Sequence, residues 1–547
     1  MWSQTYDPLG NATLSTIAAA LPALVLLGAL GLFRVRAHVA ALLGVATALL
    51  VATLIFHMPS GMAADAAIYG AAYGLFPIGW IVVNVIFLYR LTNERGLFDV
   101  LRHSITSVTR DRRLQLLLVA FSLGAFFEGA AGFGTPVAVT AAILIGLGFP
   151  PLQASGLSLI ANTAPVAFGA LGTPLIALQS VTGLDLFKLS AMTGRELSVF
   201  SVIVPFWLMV AYAGVGGAFA IWPALLVAGL GCAIPQLLIS NLHGPWLVDV
   251  AGGVCSIGAL VLFLRVWQPH DAWDGASALA SGAGAAADEA RPDATRVRQA
   301  WLPWIILSLL VFLWGIPWFK NWLDGLSVVR MAIPGLHNLI QRVPPVVPDA
   351  RPEAAVFALN WLSATGSGIL VAAVIGGFVM GYRVSELLRQ YARTLHDVRF
   401  SLLTIAAMMA VGYVTRYSGL DATMGLAFAK TGVLYPIFAT LLGWLGVALT
   451  GSDTSSNVLF GSLQRITAEQ LHLSPTLMAS ANSAGGVMGK MIDAQSIVVA
   501  STATRWYGHE GDILRFVFFH SIALALLMGL FIFLQAYVYP FTMMVVR

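Results

Sequence analysis

The sequence predicts an all-α, polytopic membrane protein, and three features of the 547-residue chain carry that prediction. Charged residues make up only 10% of the chain, whereas hydrophobic residues make up 58%. Apolar runs of about 20 residues, the length that spans a bilayer, recur along nearly the whole sequence. Two further apolar stretches, 114–180 and 450–504, are interrupted by Gly, Pro, Ser, Thr and Asn. So few charges cannot cover a soluble protein, but a surface that faces lipid requires few.

The apolar runs set the expected number of membrane spans. The clear candidates are 14–33, 37–56, 67–89, 192–213, 217–239, 246–267, 301–318, 356–379, 400–415, 424–449 and 516–539. The two interrupted stretches can hold broken helices or re-entrant hairpins, provided that protein or a water-filled cavity covers the breaks. We therefore expect about 12–14 transmembrane segments.

Arginine-rich segments orient the chain, because cytoplasmic loops of membrane proteins carry an excess of Lys and Arg. The segments 34–38, 90–113 and 381–399 are rich in Arg and are predicted to be cytoplasmic. The loop from Met58 to Asp65 contains no Lys or Arg, as expected on the opposite side. The N-terminus is therefore predicted to lie outside the cytoplasm.

A long polar interruption divides the chain. Residues 268–298 are rich in Ala, Gly and Asp and have no hydrophobic periodicity, which is typical of a flexible linker. We predict a first transmembrane repeat at 1–267, a cytoplasmic flexible linker at 268–298 and a second transmembrane repeat at 299–547.

The remaining composition argues against other classes of partner. The net charge of +4 comes from loop arginines, and no basic stripe accompanies an aromatic platform, so nucleic-acid binding is not expected. Cys232 and Cys255 lie in apolar runs and are predicted to be buried free thiols. The ten histidines show no metal-ligand spacing, so we predict neither a metal nor a cofactor.

The two halves share a pattern of helix breaks. Gly132 and Asn162 are 30 positions apart, and Gly451 and Asn482 are 31 apart. The second motif is reached from its Arg-rich segment through one extra apolar run, so the halves are predicted to be inverted. The predicted broken-helix motifs are 128–136 and 162–174 in the first half and 451–457 and 482–494 in the second.

Matched breaks of this kind indicate the substrate site of a secondary transporter. A helix N-terminus exposed at a break presents free N–H groups that suit a carboxylate, and hydroxyl and amide side chains can bind a substrate hydroxyl. Small residues that only let helices pack closely are the alternative explanation. The predicted substrate-binding residues are Gly132, Gly134, Thr135, Asn162, Thr163, Ser452, Thr454, Ser455, Ser456, Asn482, Ser483 and Lys490.

Ionisable side chains within the breaks are candidates for proton coupling. Glu128 is the one charged-type residue between Leu114 and Leu184. Its ionised form would be costly there, so we expect it to load and release a proton. Asp453 and Asp493 are the corresponding candidates in the second half.

Two basic residues allow more than one role. Lys490 can neutralise a substrate carboxylate or pair with Asp453 or Asp493. Arg416 can be a substrate cation, but a helix-end arginine that extends to the membrane surface is the favoured interpretation.

Three segments closely resemble the bacterial L-lactate permease family: Phe126–Pro136, Gly451–Asn457 and Gly485–Met491. The likeness extends over essentially the whole chain, including the opening residues 2–8. The resemblance implies proton-coupled symport of L-lactate, and often of D-lactate and glycolate, across the bacterial inner membrane. In that membrane, the N-terminus that the loop charges place outside the cytoplasm is predicted to be periplasmic. The sequence leaves a monomer or a homodimer open.

The sequence leaves two alternatives to a proton symporter. A sodium-coupled carboxylate symporter would use the carbonyl groups exposed at the breaks as ion ligands. A membrane-embedded enzyme is disfavoured, because the sequence offers no nucleophile–base arrangement, paired metal ligands or cofactor motif.

Overall fold

The computed structural model describes residues 1–31, 33, 35–97, 99–100, 108–109, 111–130, 132, 134–269, 293–347, 349–507 and 509–546. Residues 270–292, most of the predicted linker, lie outside the described residues, as do Arg34, Arg102 and Arg110 of the predicted cytoplasmic segments. Residues 294–298, predicted as linker, are helical instead. Val297 and Ala300 face the protein three positions apart, so the helix gains an extra turn whose Arg296 and Arg298 face solvent.

Helices make up most of the part before the linker. Its α-helices are α1 (Ala12–Gly31), α2 (Ala37–Leu50), α3 (Ser60–Tyr73), α4 (Trp80–Glu94), α5 (Arg112–Leu116), α6 (Gly124–Ala130), α7 (Thr135–Gly146), α8 (Pro151–Ala161), α9 (Gly169–Thr182), α10 (Leu186–Ala220), α11 (Trp222–Leu242) and α12 (Val248–Phe263). Val51–Ile55, Gly74–Gly79 and Leu117–Leu123 are π-helical, and Val166–Phe168 is a 3₁₀ turn.

The part after the linker is also mainly helical. Its α-helices are α13 (Ala294–Gly315), α14 (Pro317–Ser327), α15 (Thr365–Val379), α16 (Val384–Ser418), α17 (Leu420–Phe428), α18 (Tyr435–Thr450), α19 (Asp453–Gln470), α20 (Pro475–Gly489), α21 (Ala494–Ala503) and α22 (Glu510–Tyr537). Ala429–Leu434 and Phe541–Met544 are 3₁₀ turns.

The predicted all-α polytopic fold class is confirmed. Within the described ranges, nine helices are long and apolar enough to cross a membrane, or ten if α8 and the bent segment Val166–Thr182 form one span. Four shorter apolar helices accompany them: Ala12–Leu26, Pro136–Gly146, Val248–Phe263 and Thr365–Val379. The prediction was about 12–14 spans, and the four shorter helices, which are below the length of a full crossing, account for the lower number of long ones. The inverted relation of the two halves stays a prediction.

The predicted span 67–89 lies within the longer candidate span Ser60–Glu94. That span is kinked, because the backbone leaves helical geometry at Phe76 (φ −142°, ψ 120°), beside Pro77, which has no N–H to donate. Conversely, the predicted loop 381–399 and span 400–415 form one helix, α16. Its first turn is stabilised by Glu386, whose Oε2 accepts from the Arg383 N–H at 2.8 Å.

Short β-strands lie at one end of the molecule and were not predicted. β1 (Trp2–Ser3) pairs in parallel with β3 (Ile340–Arg342), which pairs antiparallel with β4 (Arg351–Pro352). β2 (Val329–Ala332) pairs antiparallel with β5 (Val356–Leu359). The predicted span 356–379 is therefore a strand followed by α15, because a turn closed by the Ala364 N–H and the Asn360 carbonyl separates them.

An ion-pair cluster joins these strands to the helices. Glu353 contacts Arg342 at 2.9 Å and Arg416 at 2.7 Å, and Arg416 also donates to the Ser180 carbonyl at the end of α9. Burial raises the pKa of the Glu353 carboxyl, but the two guanidinium groups outweigh burial and hold that pKa below its ordinary value. Arg416 lies in the last turn of α16, at a helix end as predicted, and its half-buried guanidinium is an ion-pair partner of Glu353.

Helices α18 and α20 approach each other at glycines, and this contact positions Asn482. A Cβ on Gly443 would overlap the Asn482 carbonyl, and a Cβ on Gly485 would overlap the Thr440 carbonyl. Because both obstacles are backbone atoms, neither helix can yield by a side-chain rotation. The two glycines therefore set how closely these helices pack.

Gly443→Ala is expected to destabilise the protein, because the added methyl group forces α18 away from α20. The expected cost is about 1–3 kcal/mol, measured as a lower melting temperature in detergent. Gly258→Ala is the matched control, since a Cβ there would meet no atom within 4 Å. Equal melting temperatures for the two variants would contradict the packing argument.

Candidate functional site

The first break separates α6 from α7. Gly134 adopts left-handed geometry (φ 82°) and directly precedes α7, with Pro136 in the first turn. Glycine is the residue that tolerates this conformation without a steric penalty. Glu128 lies in the last turn of α6 and is only 4% exposed, so the chain carries a buried carboxyl to the edge of the break.

The second break of the first half lies behind Glu128. α8 ends at Ala161, and Ala170, Leu171 and Gly172 are left-handed before the chain continues as the regular part of α9. Asn162 Nδ2 donates to Glu128 Oε2 at 3.0 Å, while Asn162 Oδ1 is buried without a partner. A Cβ on Gly169 would lie 2.5 Å from Glu128 Oε1. The two breaks therefore meet at one carboxyl group.

The second half brings a carboxyl to a break in a similar way. Gly451 is left-handed (φ 72°) and ends α18, and Ser452 caps α19 by accepting from the Ser455 N–H at 3.2 Å. Asp453 Oδ2 accepts from Ser483 and, at 3.2 Å, from Asn457 Nδ2. A Cβ on Gly486 would overlap Asp453 Oδ1, so this carboxyl, like Glu128, lies directly against a glycine backbone.

The predicted motif 482–494 does contain a break, but the break comes after Asn482. α20 runs unbroken from Pro475 to Gly489, and the chain leaves the helix only at Lys490. The side chain of Asn482 is held by two others: its Nδ2 donates to Asn457 Oδ1 at 2.9 Å, and its Oδ1 accepts from Gln464 at 3.1 Å. Asn457 also donates to the Pro174 carbonyl at 3.2 Å, which links this network to the first half.

Lys490 is held at the break after α20. Its Nζ donates to the Gly451 carbonyl at 2.6 Å and lies 3.3 Å from Asp493 Oδ2. Asp493 is itself fixed, because its Oδ1 accepts from the Ser496 N–H and caps α21. Of the two predicted ion-pair partners of Lys490, the structure selects Asp493. The contact with Asp493 is an ion pair without a hydrogen bond, and an ammonium group has three donors, so a donor remains for a further acceptor.

A cavity of about 160 Å³ lies between the breaks. Seven predicted residues line it: Glu128, Gly132, Ser452, Asp453, Thr454, Ser455 and Lys490. Of the other predicted residues, these are outside its lining: Gly134, Asn162, Thr163, Ser456, Asn482, Ser483 and Asp493. Three of them contact residues of the lining: Asn162 bonds to Glu128, Ser483 bonds to Asp453, and Asp493 pairs with Lys490. The side chain of Thr135 lies outside the described residues.

Comparison with known proteins identifies the family of this chain. The profile of one family, L-lactate permease, matches residues 15–539. The chain belongs to the L-lactate permease family. Membership in a family of permeases makes this multi-pass membrane protein a transporter rather than an enzyme, as predicted.

Curated relatives cover almost the whole permease. The glycolate permease of Escherichia coli (strain K12) is 45% identical over 553 residues, with 98% of each chain covered. The L-lactate permease of the same strain is 44% identical over 543 residues, with the same coverage. The L-lactate permease of Bacillus subtilis (strain 168) is 42% identical over 558 residues, covering 98% of this chain and 99% of its own.

Two solved structures show a more distant likeness. MtrF of Neisseria gonorrhoeae covers 85% of this chain and 82% of its own, with 13% identity and a TM-score of 0.43. YdaH of Alcanivorax borkumensis covers 85% and 86%, with 15% identity and a TM-score of 0.44.

Several cavity residues of this permease were missed by the sequence reasoning. They are Thr173 of α9, Thr450 and Gln495 beside the second-half breaks, and Ser401, Thr404 and Ile405 of α16. Ser401 and Thr404 are three positions apart in an otherwise apolar stretch, and this polar pair was the available signal. Ser401 is exposed, so the cavity reaches the surface beside this part of α16.

A small recess of about 20 Å³ adjoins the cavity. It shares Thr173, Ile405, Ser452, Thr454 and Ser455 with the main cavity. Its other walls are apolar and come from the helix break at Ile78, from α16 and from α19: Ile78, Met408, Met409 and Val458. The site therefore has a polar part with Lys490 and a small apolar recess.

Proposed function

We propose that the protein catalyses proton-coupled uptake of L-lactate and related 2-hydroxy monocarboxylates, including D-lactate and glycolate, by alternating access. The observation that carries this proposal is the cavity between the breaks of the two halves, which has Lys490 and Glu128 in its wall. The names of the relatives, L-lactate permease and glycolate permease, support the substrate class.

The chemistry of the cavity suits a small hydroxy acid. The substrate carboxylate would bind the remaining donor of Lys490 and the free N–H groups at the start of α19. Thr173 and Ser452 offer hydroxyl groups for the 2-hydroxyl. The apolar recess beside Ile78 and Val458 would take the methyl group of lactate and stay unfilled with glycolate.

The negative charge of the substrate is the reason to propose proton coupling. A monocarboxylate anion alone is costly to move through the membrane interior, and one proton makes the transported charge zero. Glu128 is our candidate for the proton carrier because it lines the cavity and its partner Asn162 can reorient: the amide nitrogen donates to a carboxylate, and the free Oδ1 can accept from a protonated carboxyl. Asp453 and Asp493 are candidates of lower rank, since Asp453 already accepts from two side chains and Asp493 is paired with Lys490.

The proposed setting is the bacterial inner membrane, in membrane lipid, with a periplasmic N-terminus. Trp2–Ser3 pairs with Ile340–Arg342, so the N-terminus and the strands lie on one face. α12 ends and α13 begins beside the linker, and we place the linker on the cytoplasmic side.

Uptake of labelled lactate into proteoliposomes tests the proposal. We expect accumulation when the interior is alkaline, collapse with a protonophore, no change when sodium is omitted, and competition by D-lactate and glycolate. Uptake that is indifferent to the pH gradient but requires sodium would replace proton symport with sodium symport. Catalytic conversion of lactate without accumulation would contradict transport altogether.

A further inference from the structure

Asp249 is a buried carboxyl that the proposed function does not yet use. It lies in the first turn of α12, is 4% exposed, and its Oδ2 atom has no hydrogen-bond partner. An acidic side chain in the first turn of a helix is favourable because of the helix dipole. That effect does not require burial, and it leaves the unpartnered oxygen unexplained.

The backbone brings Asp249 next to Glu128. A Cβ on Gly129 would lie 2.8 Å from the Cβ of Asp249 and 2.7 Å from the Val250 nitrogen. α6 and α12 therefore touch at the residue that follows Glu128, and the two carboxyl groups interact electrostatically. Two ionised carboxylates on contacting turns of α6 and α12 repel each other in a low dielectric, and one shared proton removes the repulsion.

The charged and titratable neighbours of the pair come from both halves. Glu128 of α6 and the Cys232 thiol of α11 interact with Asp249. Lys490, Asp493 and Asp453 interact with Glu128. Lys490 thus supplies positive charge beside Glu128, where the substrate anion is proposed to bind, and Asp249 is not among the residues that line that cavity.

The segment before Asp249 leads to the membrane face opposite the linker. His243 is half-buried, its Nε2 lies 2.9 Å from the Phe312 carbonyl, and its Nδ1 has no partner. Trp246 is buried with an unpartnered Nε1, and Lys320 lies 5.7 Å from its ring. α12 and α13 adjoin the linker with their other ends, so this polar segment lies on the opposite side.

We propose that Asp249 is a second proton carrier, which takes up the proton from the face opposite the linker and passes it to Glu128. In the transfer, the O–H bond of the Asp249 carboxylic acid breaks and an O–H bond forms on the Glu128 carboxylate. Asp249 is left ionised and Glu128 neutral, so charge and atoms balance. This inference rests on the proposed proton symport.

Asp249→Asn separates proton delivery from substrate binding. We expect lactate uptake driven by a pH gradient to fall about 100-fold, while lactate–lactate counterflow at equal pH continues at the wild-type rate. Asp249→Glu should restore gradient-driven uptake, because it returns a titratable carboxyl. Glu196→Gln is the matched control: Glu196 is equally buried, on α10, and accepts from Ser480 at 2.7 Å.

The outcomes distinguish the two proposals. Wild-type uptake that ignores the pH gradient would overturn proton symport itself. If the wild type and the Asp249→Asn variant respond equally to the pH gradient, proton symport stands and only the proposed role of Asp249 is overturned. Joint loss of uptake and counterflow in both Asp249 variants would assign Asp249 a structural role and also overturn it. Loss of gradient-driven uptake in Glu196→Gln as well would mean that any buried carboxyl produces the effect.

Discussion

Replacing Glu128 by Gln is expected to abolish lactate uptake driven by a pH gradient, while lactate–lactate exchange continues. The amide has the size of the carboxyl but cannot carry the proton. It can still be accommodated, because Asn162 has an unpartnered Oδ1 that can accept from it. Losing a group that must take up and release a proton should lower gradient-driven uptake by about 100-fold. Both activities are measured on the same proteoliposome preparation.

Glu128→Asp serves as the control for this variant, since it keeps a carboxyl on a shorter side chain. We expect it to retain a response to the pH gradient at a reduced rate. Gradient-driven uptake by Glu128→Gln at the wild-type level would rule out Glu128 as the carrier. Loss of exchange together with uptake would instead show that Glu128 is needed for substrate binding or folding.

Lys490→Met is expected to lower the affinity for lactate more than any other substitution considered in this cavity. Methionine fills much the same volume as the lysine stem but offers neither charge nor donors to a carboxylate. A hydrogen bond to a charged group contributes about 1.5–3 kcal/mol, which corresponds to roughly 10- to 150-fold in affinity. The half-saturating lactate concentration in counterflow measures this effect without requiring proton coupling.

The double variant Lys490→Met, Asp493→Asn separates two roles of the lysine. Lys490 lies 3.3 Å from Asp493, so the single variant leaves a buried carboxylate uncompensated, which is itself strongly destabilising. Removing both charges restores a neutral site. If Lys490 binds the substrate, the double variant should still bind lactate weakly. Recovery of wild-type affinity would show that Lys490 only neutralises Asp493.

The sequence predicted those parts of the site that depend on local chemistry. Glu128 and Asp453 stand out because a carboxyl within an apolar stretch is costly unless it has a function. Gly134 and Gly451 occupy positions that require a left-handed backbone, and such breaks can be recognised from Gly and Pro alone. The carboxyl, the breaks and Lys490 were found because each departs from the pattern of an ordinary membrane helix.

The parts that depend on long-range contacts could not be predicted. Asn482 resembles Asn162 in sequence context, yet it lies inside α20, and its side chain bonds to Asn457 and Gln464 of the preceding helix. The contribution of α16 to the cavity was missed for the same reason. Ser401 and Thr404 become relevant only when the tertiary fold places this helix opposite the breaks.

The strands near the N-terminus show the same limit. Trp2–Ser3 pairs with residues more than 300 positions away, so no local sequence pattern indicates which strand it will pair with. The break at Gly74–Gly79 did carry a local signal, a proline between two glycines, but the surrounding apolar run concealed it.

Thiol protection at Thr173 tests most directly whether the cavity between the breaks is the substrate site. Thr173 lines both the cavity and its apolar recess. Cys232 is buried as predicted, but Cys255 is exposed, which contradicts the prediction for that thiol. A Thr173→Cys variant, with Cys255 replaced by Ser, would be labelled with a small thiol reagent at increasing lactate concentrations. We predict that lactate and glycolate slow the labelling, with half-protection at the concentration that half-saturates counterflow. Labelling at an unchanged rate under saturating lactate, in a variant that still transports it, would contradict this assignment of the site.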